Sequence, residues 1–491
     1  MKNYYITTAI PYANAAPHIG TAMDYLYGDI LLRYQTEILG NPALMSIGTD
    51  EHGTKIEQKA KELGKTPQEL VDSLQPEFLK MREALNLDFN NIVNVRTTDP
   101  DHVHRVQEIW QRLDAAGAIY KSTYEGWYCS GCEAFLTETE AKAINYVCPD
   151  HNKPLEKLSE DNYYLKISQF TDQIREFAAN NIVPSWRGKE ILELIKNGAQ
   201  DVSISRPKEK LNWGIPVPGD DSQIMYVWVD ALSNYITVLG YPDADWKQNF
   251  WPADVEIVGK DIVRFHAIIW PAILLALGLE LPKKLLVHGF INVGGAKMSK
   301  SLGNVVSPLE IIKNYGADAF RYYFSRHIPT FDDGDFTWEK FEAAYNGELA
   351  NDLGNLISRV ANMVKKYRDG KLTPAKLNDA EIFTTSEKLS ANDDFDINGV
   401  IETIWSGIQN LNKYVDEMKP WEVAKSGDDA KLTEILDHLS GGIILVAKYL
   451  QPFLPETTAK IREIYDGDQL PDEIPILFPK KYLHTLEPSR K

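Results

Sequence analysis

Short β-branched or aromatic runs alternate with helical patterns through the first hundred residues, and no other feature of this chain restricts its fold as much. Strands are predicted at Tyr4–Ala9 and Ala43–Gly48, with helices at Ile19–Leu39 and Thr54–Leu63. Strands separated by helices pair in parallel, because each crossover must return over a sheet face. The alternation stops near Gly117 and resumes after Gln223. There a strand is predicted at Glu256–Gly259, a helix at Ile262–Leu277 and another strand at Leu285–Phe290. The fold class expected is therefore α/β, a Rossmann-type parallel sheet interrupted by an insertion and followed by an all-α bundle. Segments 1–116 and 223–340 form the two halves of the sheet domain and 117–222 the insertion. In 341–491 only long amphipathic patterns remain, punctuated by Gly370, Pro374, Pro420 and Pro452.

The length of 491 residues allows about two to four domains. Three cysteines exclude a disulfide scaffold and point to a reducing compartment. Met1–Ile10 is polar and strand-like rather than an apolar signal core. The most hydrophobic stretch, Ala267–Leu281, is broken by Pro271 and falls short of the roughly 20 apolar residues a bilayer span needs. A cytoplasmic location without membrane contact is expected. The net charge of −18, taken alone, argues against a polyanionic partner.

All three cysteines fall in two hooks, Cys129-x2-Cys132 and Cys148-x2-His151. Four soft ligands at this spacing suit one tetrahedral Zn2+ with no open position, so the metal is expected to staple the insertion rather than to act as a Lewis acid. Elsewhere, the first strand leads through Pro11-Tyr12-Ala13-Asn14 to Pro17-His18-Ile19-Gly20-Thr21 and a helix start. Gly20 permits close backbone approach, the helix start offers unpaired N–H groups to a phosphate, and His18 can donate to a phosphate oxygen. Far along the chain, Lys297-Met298-Ser299-Lys300-Ser301 follows the Gly294-Gly295 turn. Two lysines on a glycine-hinged loop suit a mobile clamp opposing charge on a leaving pyrophosphate.

Together these two strings resemble the paired signatures of class I aminoacyl-tRNA synthetases. The resemblance narrows to the methionyl-tRNA synthetase family through Thr8–Asn14, Gly48–Gly53, Tyr226–Ala231, Gly259–His266 and Asp352–Leu356, which lie in the family's order. One position departs from it: the fourth residue of the first signature, usually histidine, is Thr21, whose hydroxyl can donate one hydrogen bond but carries no charge.

The resemblance implies ATP-dependent attachment of L-methionine to tRNA(Met) through methionyl-adenylate, with Mg2+ accompanying ATP and release of AMP and pyrophosphate. It assigns catalysis to His18, Thr21, Lys297 and Lys300. ATP binding falls to Asn14, His18, Gly20, Thr21, Gly259, Lys260, Asp261 and Lys300. Methionine would lie among Ile10, Tyr12, Trp228, Ala231, Leu232, Tyr235, Ile262, Phe265 and His266, with Asp50 at its ammonium group. An apolar, polarizable slot plus one carboxylate is what a methionine zwitterion needs.

In the bundle, Leu353, Leu356, Ile357, Val360 and Val364 mark one helix face, and Asn351, Asn355, Arg359, Asn362 and Lys366 mark another. Amide and guanidinium groups in one stripe can read unstacked base edges. The resemblance places Asn355, Arg359 and Trp421 at the anticodon. Residues 355–371 hold five basic side chains against one acid, so the local field differs in sign from the net charge. A monomer is expected. The rival readings are a class I synthetase for another amino acid, a small-molecule adenylyltransferase, and a non-catalytic zinc- and RNA-binding protein. The last has no use for Lys297–Ser301, and the second none for the polar stripe.

Overall fold

The computed structural model describes residues 3–130, 134–136, 138–149, 152–297, 306–383, 389 and 394–484. At its centre lies a six-stranded sheet of β1 (Tyr4–Thr8), β2 (Ala43–Thr49), β3 (Ile92–Arg96), β4 (Ile182–Val183), β5 (Val255–Gly259) and β6 (Leu285–His288). Its order is β3-β2-β1-β5-β6-β4, and every pairing is parallel. Parallel strands buried on both faces must be nearly all apolar, and β6 is buried at every position. The chain leaves β1 towards β2 on one side and reaches β5 on the other. A crevice opens at such a reversal, beyond the carboxyl ends of the strands.

The principal helices are α1 (Ile19–Arg33), α2 (Pro100–Ala115), α3 (Val227–Thr237), α4 (Ala317–Arg326), α5 (Asn355–Arg368), α6 (Ile397–Met418), α7 (Asp429–Leu450) and α8 (Pro455–Tyr465). Two predicted helices are interrupted. The one from Ile19 is α-helical to Arg33 and closes in a π turn at Tyr34–Ile38, and the one after Ile262 divides into a π turn, Phe265–Ile269, and a short helix, Trp270–Ala276. The second break follows from Pro271, which has no N–H to donate and is confined to a first helical turn.

The segment between the sheet halves builds an antiparallel sheet of its own from Ala134–Leu136, Ile119–Cys129, Glu156–Leu165 and Val202–Ser203. It also lends β4, two residues long, to the edge of the central sheet. After Gly334–Phe336 the described residues contain no further strand, only an isolated bridge between Lys371 and Gln469. No helix among them is long and apolar enough to cross a membrane.

One apolar core runs without a break from the sheet into the bundle. It includes Ile6, Leu26, Met45 and Ile257, then Phe320 and Tyr323, then Val360, Trp405, Ile443 and Phe453. A charged hub sits within it. The fully buried Arg321 of α4 reaches Oδ2 of Asp29 on α1 at 2.7 Å and donates to the carbonyls of Leu85, Pro452 and Phe453. A buried guanidinium needs this many partners to offset its lost hydration.

Candidate active site

The candidate residues gather just beyond the carboxyl ends of the central strands. His18 caps α1 from extended backbone, and its Nδ1 accepts the N–H of Gly20 at 3.0 Å. A ring that accepts at Nδ1 is neutral and carries its proton on Nε2, the nitrogen able to donate to a phosphate oxygen. The need for glycine at position 20 is steric: a Cβ there would lie 2.8 Å from Cε1 of His18. Thr21 is buried in the same first turn. One turn on, Oδ1 of Asp24 meets Nε2 of His288 at the end of β6 over 2.9 Å and pins α1 to the sheet. Burial pushes the Asp24 carboxyl up, offset only in part by His288. Burial alone would depress His288, but Asp24 outweighs it and the imidazole is raised.

Beyond β5, Gly259 leaves room for Asp261, whose Oδ1 would stand 2.8 Å from a Cβ at that position. The backbone N–H of Lys260 donates to His288 O, and its ammonium pairs with both oxygens of Asp333 at 2.7 and 2.8 Å. Asp333 also accepts the N–H of Phe290, and Lys260 stands over the Phe290 ring. Asp333 carries no chemistry-bearing motif in the sequence, and only the fold brings it to Lys260. Lys297 ends the hairpin strand Ala296–Lys297, which pairs with Ile291–Val293. Its side chain, and the whole of Lys300, lie outside the described residues.

The residues expected around the amino acid come from three elements. Tyr12 and Asp50 face each other in a parallel bridge, with Asp50 N–H donating to Pro11 O and Ala13 N–H to Asp50 O. Ile10 lies against the same turn, where a Cβ on Gly48 would meet its Cγ2 at 2.9 Å. Lys55 stands over the Tyr12 ring. On α3, Trp228 stacks on Phe265 with ring centroids 3.8 Å apart and planes 12° from parallel. Leu232, Tyr235 and Phe265 share one core, with Ile262 packed against it, and Ala231 is buried beside them. His266 donates from Nδ1 to Ile262 O at 3.0 Å and accepts the Tyr235 hydroxyl at Nε2. Burial lowers its pKa to about 4, so the ring is neutral. Asn14 lies in the turn after Tyr12.

Also on α3, Asp230 bonds to both His52 and His102, neither of which periodicity singles out. Burial alone would raise Asp230, but the two imidazoles outweigh it and hold the carboxylate below its ordinary range.

In the bundle the apolar and polar faces of α5 fall as the spacing predicts. Leu356, Ile357, Val360 and Val364 are buried, while Asn355 and Asn362 are exposed. Arg359 stands 5.1 Å from the Trp421 ring centre and pairs with Asp416 at 2.9 Å. Arg368 pairs with Asp437. The basic segment is therefore partly neutralised by acids from neighbouring helices, which the local count of charges does not register.

Of the four expected metal ligands, Cys132 and His151 lie outside the described residues, among which no group of three or more His, Cys, Asp or Glu could hold a metal ion. The two described thiols fit the expectation. Cys129 and Cys148 are buried in one small cluster with Ala141 and Leu155. The turn at Cys148 is closed by Cys148 N–H to Lys153 O and Asn152 N–H to Cys148 O, both 2.8 Å. That core is too small to hold the segment together alone, the circumstance in which a structural metal is useful.

Comparison with known proteins agrees with this geometry. Residues 4–159 and 150–361 match the family described as tRNA synthetases class I (M). The protein named methionine–tRNA ligase in Clostridium tetani is 42% identical over 483 residues, spanning 95% of this chain and 74% of that one. Its Streptomyces coelicolor counterpart is 42% identical over 482 residues, 94% of this chain and 89% of that one. The structure of Mycobacterium tuberculosis methionyl-tRNA synthetase in complex with methionyl-adenylate superposes with a TM-score of 0.89 at 35% identity, covering 98% of this chain and 100% of that chain. With its parallel sheet, its capped signature helix and its stacked Trp228–Phe265 pair, the chain belongs to the class I methionyl-tRNA synthetases.

Proposed function

We propose that this chain joins L-methionine to tRNA(Met) in two steps. The methionine carboxylate attacks the α-phosphate of ATP, which enters with Mg2+, giving methionyl-adenylate and pyrophosphate. The 2′-hydroxyl of the terminal tRNA adenosine then takes the methionyl group and AMP leaves. No covalent protein intermediate is required, and the chain's part is to position the reactants and stabilise the developing charge.

The observation that carries this reading is the cap of α1. The Gly20 N–H fixes the His18 ring with its proton on Nε2, at a helix start where the strand order reverses. In the reaction that proton is donated to ATP phosphate oxygen, with Thr21, Lys297 and Lys300 sharing the charge of the leaving pyrophosphate. Asn14, Gly20, Gly259, Lys260 and Asp261 cradle the nucleotide. For Lys260 to reach it, the contact with Asp333 must open.

Methionine lies with its ammonium at Asp50 and its thioether against Trp228, Tyr235, Phe265 and His266, with Ile10, Tyr12, Ala231, Leu232 and Ile262 closing the slot. The neutral His266 suits an uncharged side chain. Asn355, Arg359 and Trp421 meet the anticodon, and the pairing of Arg359 with Trp421 supports a stacked base there. Cys129, Cys132, Cys148 and His151 hold one structural Zn2+ in the segment 117–222, between sheet halves 1–116 and 223–340, with the bundle at 341–491. The chain acts as a monomer in the cytoplasm.

ATP–pyrophosphate exchange with each amino acid in turn tests the reading. Methionine is expected to support the fastest exchange; a faster amino acid, or none, overturns it.

A further inference from the structure

Asp230 binds two histidines at once, and its position in the chain gives that arrangement a use. Oδ2 of Asp230 lies 2.7 Å from Nδ1 of His52, and Oδ1 lies 2.8 Å from Nε2 of His102. All three side chains are buried. Nδ1 of His102 contacts Oγ1 of Thr237, two turns farther along α3, at 2.7 Å. The His52 ring packs against Trp213, whose indole N–H donates to Glu51 O at 2.6 Å. Three elements that never pair as backbone are thereby joined: the turn after β2, the first turn of α2, and α3. Such an array costs desolvation and persists only because each member is satisfied by the others.

The neighbours of this array are the two ends of the proposed amino-acid slot. His52 lies two residues after Asp50, and Asp230 two residues after Trp228. Neither short link has much play. Asp50 is held on both sides by backbone bonds to Pro11 and Ala13, and Trp228 is clamped by its stack on Phe265. The bond between His52 and Asp230 therefore ties the turn that carries Asp50 to the helix that carries Trp228, and His102 holds the second oxygen of the same carboxylate.

We propose that the His52–Asp230–His102 array is the spacer of the amino-acid pocket, setting the Asp50-to-Trp228 distance and with it the side-chain length the pocket accepts. The proposal rests on the reading that Asp50 and Trp228 receive methionine. The three residues are positioning residues, and none touches substrate. Methionine fits when the slot is held at one length; a slot free to lengthen tolerates an extra methylene better and holds methionine less well.

The test compares L-methionine with L-ethionine, one methylene longer, in ATP–pyrophosphate exchange by the full chain and three variants. In His102→Leu the donor to Asp230 is lost. In His102→Gln a side-chain N–H remains to make that bond, and in Asp230→Asn one of the two accepting oxygens is replaced. For His102→Leu and Asp230→Asn, kcat/KM for methionine is expected to fall by about tenfold and that for ethionine by less, since one methylene in an apolar pocket carries roughly 10- to 200-fold discrimination. The methionine-to-ethionine ratio should then drop by about fivefold or more, with KM for ATP within about twofold of the parent. His102→Gln is expected to keep the ratio within about twofold of the parent.

Equal losses for both amino acids, a parallel rise in KM for ATP, or a glutamine variant as poor as the leucine one overturns the proposal. Where His102→Leu fails to fold, as judged by circular dichroism, Asp230→Asn decides on the same criteria. Failure of the unaltered chain to exchange with methionine would instead remove the functional reading beneath it.

Discussion

Tyr235 donates its phenol hydrogen to Nε2 of His266 over 2.8 Å, and this fixes the protonation of the ring that stands edge-on to Trp228. Because Nδ1 is already given to Ile262 O, the imidazole has no second proton to offer. Replacing Tyr235 by Phe leaves a buried nitrogen without its donor, a loss of about 1–2 kcal/mol. Methionine KM in Tyr235→Phe should rise by about tenfold while KM for ATP stays near the parent value. Exchange kinetics at varied methionine check it, and an equal change in both constants counts against a role at the slot.

Gly20→Ala sets a methyl group against the His18 ring and breaks the cap. Because His18 acts on ATP phosphates in the proposed reaction, exchange kcat should fall by about 10- to 100-fold with methionine KM little changed. Thr21→His, which adds a charge-capable group in the same turn, should stay within about tenfold of the parent, with His18→Ala the more damaging change. Equal losses for the two would mean that Thr21 carries as much of the phosphate charge as His18.

Glu256 in β5 is fully buried, its Oε1 accepting the Trp270 indole N–H at 2.9 Å. Burial raises its pKa to about 8, against an ordinary value of 4.5. Between those two values the folded chain holds a proton that the unfolded chain has lost. The group's contribution is therefore complete below pH 4.5 and declines as pH rises towards 8. Glu256→Gln keeps the shape and the acceptor without the ionisation. Its melting temperature relative to the parent should climb between pH 5 and pH 8; a difference independent of pH means the carboxyl ionises in the folded state.

Trp421→Ala removes the ring beneath Arg359. Loss of one stacked base costs about 1–3 kcal/mol, so kcat/KM for tRNA should fall by roughly tenfold or more. The methionine-dependent exchange, which needs no tRNA, should hold its rate. Aminoacylation and exchange measured on one preparation separate the two effects.

Elemental analysis should find one zinc per chain, held by the two cysteine hooks. Cys148→Ser should lose the metal and expose the segment around Val147–Pro154 to protease, with the central sheet intact. A metal-free parent protein of full stability would contradict the staple.

Strands β1, β2, β5 and β6, the signature helix and the two faces of α5 were legible because each is written in local pattern: short β-branched or aromatic runs between helical patterns for the strands, three-and-four spacing for the helix faces. The two edge strands were not: β3 (Ile92–Arg96) is interrupted by the polar Asn94, and the two residues of β4, Ile182 and Val183, carry no period. The contact of Lys260 with Asp333 was equally hidden, being made across 73 residues where Gly334–Phe336 returns to pair in parallel with Ile291–Val293. His52 and Asp230 lie in segments that carry the family resemblance, but no role was assigned to them or to His102, and only tertiary packing sets the two histidines around the Asp230 carboxylate. The slot aromatics Trp228 and Phe265 could have been plain core by composition; the family resemblance singled them out, and their stack is a feature of the fold.

The ion pair of Asp29 with Arg321 has a mechanical consequence. Asp29 rides on the helix that begins at His18, and Arg321 grips the carbonyls at the corner between α7 and α8. A rotation of the bundle about that corner would drag the signature helix along, since letting go would strand a charge in hydrocarbon. Parallel sheet and helical bundle are thus geared rather than hinged, and the chain should melt as one cooperative unit.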